Sequence, residues 1–203
     1  MDPELERWNG RFSAEGFLFG TGPNAFLASQ AHRLRRGMRA LCVADGEGRN
    51  GVWLASQGLD VTTFDFSPVG VAKARTLAKG SSVHVDQRLC EASEWVWEPD
   101  AYDVVAAIFV QFAAPALRKA MFAGMESTLK PGGLLILQGY RTEQLGYGTG
   151  GPKAVENLYT EELLKKSFPA LEIVHLAAHD EEVDEGPGHR GMSALVDLVG
   201  RRR

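Results

Sequence analysis

The sequence predicts an α/β protein built on a mostly parallel sheet, with helices on both faces and an antiparallel last strand. Three observations predict this fold class. Apolar, strand-like runs alternate with helical segments through most of the chain, which is the pattern of a parallel sheet covered on both faces. A glycine-rich stretch, GEGRNG, directly follows the first predicted strand. The last two strand-like runs have no helix between them, so we expect them to pair antiparallel.

The predicted elements follow in order along the chain. Helices are predicted at residues 24–36, 50–57, 67–80, 115–129 and 160–168. Strands are predicted at residues 40–44, 61–66, 83–85, 103–109, 134–138, 171–177 and 194–199. Gly37, Gly58 and Gly80 end three of the helices, while Ser67-Pro68 begins one with a favoured N-cap and first-turn residue. The glycine-rich segment 141–152 is predicted to be a long irregular loop, and such loops in compact domains are usually functional or mobile.

Composition and charge indicate one globular domain over residues 1–203. The formal net charge is −4, so no overall basic field would attract nucleic acid or an anionic membrane surface. Two cysteines, Cys42 and Cys90, cannot form a disulfide framework, which favours a cytoplasmic location. The N-terminus lacks the apolar core of a signal peptide, and the longest apolar run, 104–110, is too short to span a membrane. Since no acidic, histidine or cysteine cluster has metal-ligand spacing, no metal is predicted.

Residues 46–51 match the GxGxxG pattern of loops that bind dinucleotides, although such a short pattern also occurs by chance. In an open parallel sheet, ligands bind beyond the carboxyl ends of the strands, and this loop begins where the first predicted strand ends. Asp65 ends the next strand, 20 residues after Asp45, where a carboxylate can accept hydrogen bonds from ribose hydroxyls. The two features together predict a ligand that contains adenosine.

The charges of the loop distinguish between two such ligands. Asp45 and Glu47 would lie beside the middle section of the ligand. A diphosphate charge about 5 Å from either carboxylate would be repelled by roughly 3 kcal/mol per pair at an effective dielectric near 20. S-adenosylmethionine (SAM) instead presents a sulfonium and an ammonium, both cationic, beside one carboxylate. The charges of the loop therefore favour SAM over NAD.

Several motifs resemble those of class I SAM-dependent methyltransferases, and in particular those of the tellurite-resistance and thiopurine-type small-molecule enzymes. They are GEGRN in the loop, FDFSP after the second strand, YDVV in the fourth strand and LKPGGLLIL at the fifth. The resemblance implies SAM as the cofactor and a Rossmann-like sheet of seven strands in the order 3-2-1-4-5-7-6, with the seventh antiparallel. Three positions depart from the superfamily pattern: Cys42 stands where an acid is usual, Ala44 stands at its first glycine, and Cys90 replaces an acid at the adenine edge.

The resemblance also implies which residues contact the cofactor. Gly46 and Gly48 would let the backbone approach it, Asp65 would bind the ribose, and Phe66 would lie against the adenine. Phe109, at the end of the fourth strand, would face the methionine part or the methyl group. The complete set of cofactor residues expected in this way is Phe19, Ala44, Asp45, Gly46, Gly48, Asn50, Asp65, Phe66, Glu91, Ala92 and Phe109.

The acceptor side is predicted from segments that are aromatic and rich in glycine. Residues 1–23 are expected to fold over the cofactor as a lid, as in the resembling enzymes, and residues 141–152 to form a loop on the substrate side. Phe12, Tyr147 and His189 are the candidate substrate contacts. Methyl transfer depends mainly on orientation and desolvation, so a thiol or a chalcogen oxyanion such as tellurite would need little further help. His189 is the candidate catalytic group.

Two other functions remain open from the sequence. The departures at Cys42 and Ala44 are compatible with a regulatory protein that binds SAM without turnover. An NAD-dependent oxidoreductase is the third possibility, although the loop charges and the antiparallel last strand argue against it. The expected partner is a small-molecule methyl acceptor, with neither nucleic acid nor a membrane, because no basic patch and no added recognition domain is evident.

Overall fold

The computed structural model describes residues 3–203; Met1 and Asp2, which belong to the predicted lid segment, lie outside the described residues. Its strands are β1 (Arg39–Val43), β2 (Asp60–Asp65), β3 (Asp86–Leu89), β4 (Tyr102–Ile108), β5 (Leu129–Tyr140), β6 (Leu171–Asp184) and β7 (Arg190–Arg202). Its helices are α1 (Pro3–Phe12), α2 (Ala25–Ser29), α3 (Arg49–Ser56), α4 (Pro68–Gly80), α5 (Pro115–Thr128), α6 (Gln144–Tyr147) and α7 (Glu161–Ser167). Short 3-10 helices occupy Gln30–Arg33 and Val155–Asn157.

The seven strands form one sheet in the order β3-β2-β1-β4-β5-β7-β6. The pairs β1–β2, β2–β3 and β4–β5 are parallel. β7 pairs antiparallel with both β5 and β6. The predicted fold class is confirmed, including the antiparallel last strand. By its contacts the chain divides into two compact units, which are described in turn.

The first unit contains the chain up to Trp95 together with Glu185–Gly188. Leu41, Leu54 and Phe64 are buried in its core. α3 begins after Gly48, whose φ of 89° is in the left-handed region. A Cβ added to Gly48 would lie 2.6 Å from the Cβ of Ala74, which is too close. Glycine at this position therefore lets the loop after β1 approach α4 closely.

The second unit contains Val96–Asp184 and His189–Arg203. Its core includes the buried side chains of Phe122, Tyr159 and Phe168. Arg202 Nη1 donates hydrogen bonds to the carbonyl oxygens of Ser127 (2.6 Å) and Leu129 (2.5 Å). Because the last carbonyls of a helix lack partners within the helix, this arginine of the basic C-terminus helps to satisfy the end of α5.

Several predicted boundaries are wrong. The segment before residue 24, which has no obvious periodicity, contains α1. The predicted helix 24–36 is instead the five-residue α2 followed by a 3-10 turn. β3 lies at Asp86–Leu89 rather than at 83–85, and β5 already begins at Leu129, within the expected LKPGG turn. Segment 141–152 is not wholly irregular, because it contains α6.

The hairpin between β6 and β7 differs most from the sequence prediction. The two strands pair antiparallel as predicted, but pairing continues to Asp184 and Arg190, well beyond the predicted strands. β6 is the last strand in the order of the sheet, and charged side chains are common on edge strands because their outer side faces water. The acidic run at residues 180–184 is therefore compatible with a strand. Within residues 3–203, no helix is both long and apolar enough to cross a membrane.

Candidate functional site

The loop between β1 and α3, residues 44–48, is held to the end of β2 by Asp65. The backbone N–H of Gly46 donates to one carboxylate oxygen of Asp65 (2.9 Å), and the N–H of Ser67 donates to the other (2.9 Å). Burial raises the pKa of Asp65, against the opposing effect of these N–H donors. Each carboxylate oxygen can accept more than one hydrogen bond. Asp65 can therefore shape the loop and also accept from ribose hydroxyls.

Two of the predicted cofactor residues have a backbone conformation that is unusual for residues with a Cβ. Ala44 has a φ of 49° and Phe109 a φ of 55°. Such left-handed conformations cost about 1–2 kcal/mol per residue and are concentrated at functional sites. Ala44 stands where the superfamily has glycine, which adopts this conformation without strain.

The carboxylate of Asp45 is directed to the first turn of α3. Its Oδ2 accepts a hydrogen bond from the N–H of Gly51 at 2.9 Å. Burial raises the pKa of Asp45 to about 7, although the Gly51 N–H and the charge of Arg49 act in the opposite direction.

Asn50, a predicted cofactor residue, is buried and accepts from the N–H of Asn24 at 3.0 Å. Burial, and secondarily Asp45, raises the pKa of Cys42 well above its usual value, so this thiol is a neutral core group.

Glu47 is paired, which the sequence did not indicate. Its side chain is only 3% exposed, and Lys73 Nζ lies 3.0 Å from its Oε1. Its other carboxylate oxygen accepts from the N–H of Leu18 at 2.7 Å. The assumption that Asp45 and Glu47 are two free negative charges beside the ligand is therefore wrong: one is neutralised by Lys73, and the pKa of the other is close to neutral pH.

The N-terminal segment contacts the glycine loop within the first unit. A side chain at Gly46 or Gly70 would meet the ring of Phe12 at 3.1 or 3.2 Å, so this buried ring fits against both glycines. Phe19 lies edge-on to Phe12, with 6.4 Å between ring centroids. Lys73 Nζ donates to the carbonyl oxygens of Ala14 (2.7 Å) and Gly16 (2.6 Å). These contacts hold part of the N-terminal segment against the loop, and its role as a lid stays a prediction.

The turn between β6 and β7 also contacts this part of the first unit. We call Glu185–Gly188 the hairpin tip. Arg49 Nη2 donates to Glu185 at 2.6 Å, and the same carboxylate accepts from Asn24 Nδ2 (3.0 Å) and Ala25 N (2.8 Å). The N–H of Gly188 donates to the carbonyl oxygen of Leu18 at 2.7 Å. Lys73, Arg49 and Glu185 were all missed from the sequence, since no local pattern marks them as partners of the loop.

The residues predicted at the adenine edge follow β2 and β3. Phe66 and Ala92 are half-buried and Glu91 is exposed. The thiol of Cys90 donates to the carbonyl oxygen of Glu91 at 3.3 Å, and the hydroxyl of Ser93 lies 3.4 Å from the Glu91 carboxylate. These residues are thus available for contact with a nucleoside, and their role stays a prediction.

In the second unit, three aromatic rings form a cluster at Phe109, Tyr140 and His189. The rings of Phe109 and His189 meet edge to face, with 4.3 Å between centroids. Tyr140 lies 4.7 Å from Phe109 and 5.9 Å from His189. Phe109 directly follows β4, Tyr140 ends β5 and His189 directly precedes β7. The structure therefore brings together a predicted cofactor residue and the candidate catalytic residue, with Tyr140 as a third member that sequence reasoning missed.

The hydroxyl of Tyr147 forms its hydrogen bond with a residue outside this cluster. Its hydroxyl donates to the Asp180 carboxylate on β6 at 3.0 Å, which raises the pKa of the phenol. The segment around it is fastened to β7: Gln144 accepts from the N–H of Ala194 (2.8 Å), and Thr149 donates to the carbonyl oxygen of Met192 (2.5 Å). Tyr147 stays a predicted substrate contact.

In the described part of the chain, no group of three histidine, cysteine or acidic side chains could hold a metal ion. The glycine loop of the first unit offers backbone amides and carboxylates, and the cluster of the second unit offers aromatic rings and one imidazole. These groups suit the binding of a nucleoside cofactor and the enclosure of a small reactant.

Comparison with known proteins indicates the class. Residues 40–133 match the family model described as a methyltransferase domain. The uncharacterized methyltransferase YbaJ of Bacillus subtilis (strain 168) is 31% identical over 107 residues, which cover 50% of this chain and 40% of the relative. The chain thus spans two fifths of the length of that relative.

Solved structures share the fold at low sequence identity. N-methyltransferase NodS from Bradyrhizobium japonicum WM9, in complex with S-adenosyl-L-homocysteine (SAH), has a TM-score of 0.73 at 13% identity and covers 99% of both chains. TehB from Haemophilus influenzae has a TM-score of 0.72 at 17% identity, covering 89% of this chain and 62% of that one. Residues 40–133 are thus similar to a methyltransferase domain, and the fold is one that solved methyltransferases share.

Proposed function

We propose that the protein transfers a methyl group from SAM to a small, soft acceptor such as a thiol or a chalcogen oxyanion. The observation that carries the acceptor side of the proposal is the cluster of Phe109, Tyr140 and His189. It combines two apolar rings with one imidazole. The resemblance of the sequence to tellurite-resistance and thiopurine-type enzymes supports the same acceptor class.

The cofactor side rests on the loop and on Asp65. Backbone N–H groups and glycines allow close approach at Gly46 and Gly48, and the Asp65 carboxylate retains acceptor capacity for the ribose hydroxyls. The ring of Phe12 packs against Gly46 of the loop. These features support SAM binding, with the N-terminal segment as a lid that excludes water.

Methyl transfer makes modest demands on the acceptor-side residues. A lone pair of the acceptor forms the new bond to the methyl carbon while the bond from that carbon to the sulfonium sulfur breaks, and SAH leaves as a neutral thioether. Phe109 and Tyr140 would exclude water and hold the acceptor in line. His189 would orient the acceptor or take its proton. A thiolate or an oxyanion has no proton to lose, so His189 would assist without being essential.

The phenol of Tyr159 and the two thiols are poorly suited to act as a base. Burial raises the pKa of the Tyr159 phenol far above its usual value, and burial raises the pKa of the thiols at Cys42 and Cys90. These groups stay protonated near neutral pH. An amine or phenol acceptor, which must lose a proton, would therefore depend on His189.

The test is an acceptor screen with labelled SAM, comparing thiols, chalcogen oxyanions, phenols and amines. We expect methylation of soft acceptors, a loss of about 10–100-fold in His189→Ala, and no change in His84→Ala, which removes an exposed imidazole before β3. Deleting residues 1–20 should abolish turnover if the remaining chain keeps its fold by circular dichroism.

Two results would contradict this proposal in different ways. Methylation of phenols or amines alone, with complete loss in His189→Ala, would define a base-dependent enzyme instead. Tight SAM binding without methylation of any acceptor class would favour the regulatory alternative.

A further inference from the structure

Arg49 has an unusual environment at the start of α3. It directly follows the glycine loop, and its side chain is only 7% exposed. Nη2 donates to Glu185 at 2.6 Å. Nη1 is buried and has no hydrogen-bond partner within residues 3–203. One half of this guanidinium therefore has an acceptor, and the other half does not.

Buried polar groups in folded proteins are almost always hydrogen-bonded, and a buried charged donor is especially costly to leave unsatisfied. An exception indicates an ordered water or a ligand as the missing acceptor. Because an arginine stays protonated at all physiological pH values, it cannot lower this cost by losing its proton. The acceptor for Nη1 should therefore be an anion or a strongly polar oxygen.

The neighbouring charges leave Arg49 available for an anion. The nearby cation, Lys73, has three oxygen acceptors, on Ala14, Gly16 and Glu47. The carboxylate of Glu185 is shared, since it also accepts from Asn24 Nδ2 and Ala25 N. Burial raises the pKa of Asp45 to about 7, so this carboxyl group carries only part of a charge near neutral pH.

The position of Arg49 suits the negative end of the cofactor. The N-terminal end of a helix favours an anion through its free N–H groups and its dipole, and Arg49 is the first residue of the eight-residue α3. SAM carries one carboxylate, on its methionine part. We propose that Arg49 binds this carboxylate through Nη1 and so selects a cofactor that carries the amino acid over the bare nucleoside. This role is independent of which acceptor is methylated.

The test uses two ligands that differ in the amino acid alone. SAH carries the carboxylate, whereas 5′-methylthioadenosine keeps the adenosine and the thioether and lacks it. Calorimetric titration of Arg49→Gln should show about 10–100-fold weaker SAH binding and a change of less than about 3-fold for methylthioadenosine. Arg49→Lys should lie between the parent and Arg49→Gln, because lysine keeps the charge but has a single donor nitrogen.

Two controls separate this role from a purely structural one. Glu185→Gln breaks the ion pair while Arg49 remains, and it should keep the preference for SAH. Arg39→Gln removes an equal charge at the exposed start of β1 and should change neither affinity. The melting temperature of each variant without ligand shows whether it is folded.

An equal loss of affinity for both ligands in Arg49→Gln would overturn the proposal. Arg49 would then be a structural partner of the hairpin tip. A loss of SAH affinity in Glu185→Gln as large as that in Arg49→Gln would do the same. A parent chain that binds neither ligand would overturn the SAM assignment together with this role. A parent chain that binds both ligands, with an Arg49→Gln variant that keeps the parent's preference for SAH, would overturn this role alone.

Discussion

The carboxyl group of Asp45 accepts a hydrogen bond from the N–H of Gly51, and burial raises its pKa to about 7. In the sequence, Asp45 and Glu47 look equivalent, since both are acids in one glycine loop. In the structure their environments differ: Glu47 has a lysine partner, whereas Asp45 faces backbone N–H groups in a buried position. A neighbouring cation favours a charged carboxylate and desolvation disfavours it. Stability should therefore depend on pH through Asp45.

Substituting Asp45→Asn should change how stability depends on pH. The pKa of Asp45 is raised from its ordinary 3.8 to about 7 in the folded chain. Between these pH values the folded state keeps a proton that the unfolded chain has released, so the stability of the parent falls as pH rises from about 4 to 7. The slope can reach about 1.4 kcal/mol per pH unit. Asparagine has no such proton and can still accept from Gly51, so the slope should be shallower than in the parent, and the contribution of Asp65, whose pKa burial also raises, should remain.

Urea unfolding at pH 5, 6, 7 and 8 measures this effect. Glu15→Gln, which removes an exposed carboxylate, serves as the control and should keep the slope of the parent. If the free energies of unfolding of the parent and of Asp45→Asn change with pH in the same way, the pKa of Asp45 is close to its ordinary value.

At the scale of elements, the N-terminal segment contacts the hairpin tip within the first unit, and we expect the two to act as one cover. Leu18 contacts the tip through its carbonyl oxygen and the loop through its N–H. The tip is also packed closely: a Cβ at Gly186, where φ is 88°, would lie 2.4 Å from the backbone nitrogen of Gly20. Gly186 and Gly20 approach each other through their backbones, and backbone atoms cannot change rotamer to avoid the clash as a flexible side chain can.

Substituting Gly186→Ala should therefore destabilise the cover. The left-handed conformation alone costs about 1–2 kcal/mol for alanine, and the clash adds to it or forces the tip away from the N-terminal segment. We expect a lower free energy of unfolding and faster proteolysis of residues 13–23. Gly10→Ala is the matched control: a Cβ there meets nothing within 4 Å, and alanine in α1 should stabilise the helix by up to about 1 kcal/mol. Equal stability of the two variants would mean that the tip does not pack on the segment.

At the scale of the whole molecule, cofactor binding should appear as added stability. A ligand that binds only the folded state stabilises it by about 2.7 kcal/mol at a concentration 100 times its Kd. Asp65, at the end of β2, is the residue at which stabilisation by the cofactor can be tested. It holds Gly46 and Ser67 and is expected to hold the ribose.

Substituting Asp65→Asn should have two effects. SAH should raise the melting temperature less than in the parent, because losing charge-assisted hydrogen bonds to the ribose costs about 1.5–3 kcal/mol of affinity. The melting temperature without ligand should also fall, since the amide NH₂ would face one of the two backbone N–H donors. Asp65 therefore has a structural role beside its expected role in cofactor binding.

Thermal unfolding with and without SAH measures both effects. Asp60→Asn, at the exposed start of the same strand, should behave as the parent does in both. An unchanged SAH shift in Asp65→Asn would remove Asp65 from the cofactor site.

The sequence by itself determined the order of the elements, the parallel sheet with its antiparallel end, and the positions of the glycine loop and Asp65 at the ends of strands. These features are encoded locally, in the spacing of apolar residues and in the residues that begin and end elements. Phe109 could also be named in advance because it ends a predicted strand, and His189 because it lies in the glycine-containing loop between the last two predicted strands.

Only the tertiary structure decided which groups are paired and which are buried. Lys73 meets Glu47 across 26 positions of the chain and Glu185 meets Arg49 across 136. The ring contact of Phe109 with His189 likewise joins β4 to the start of β7. Partners this far apart leave no periodic signal, and a pKa such as that of Asp45 depends on the packing around it rather than on its neighbours in sequence. The charge that a carboxylate presents to a ligand is therefore fixed by the folded surroundings and not by the residue type.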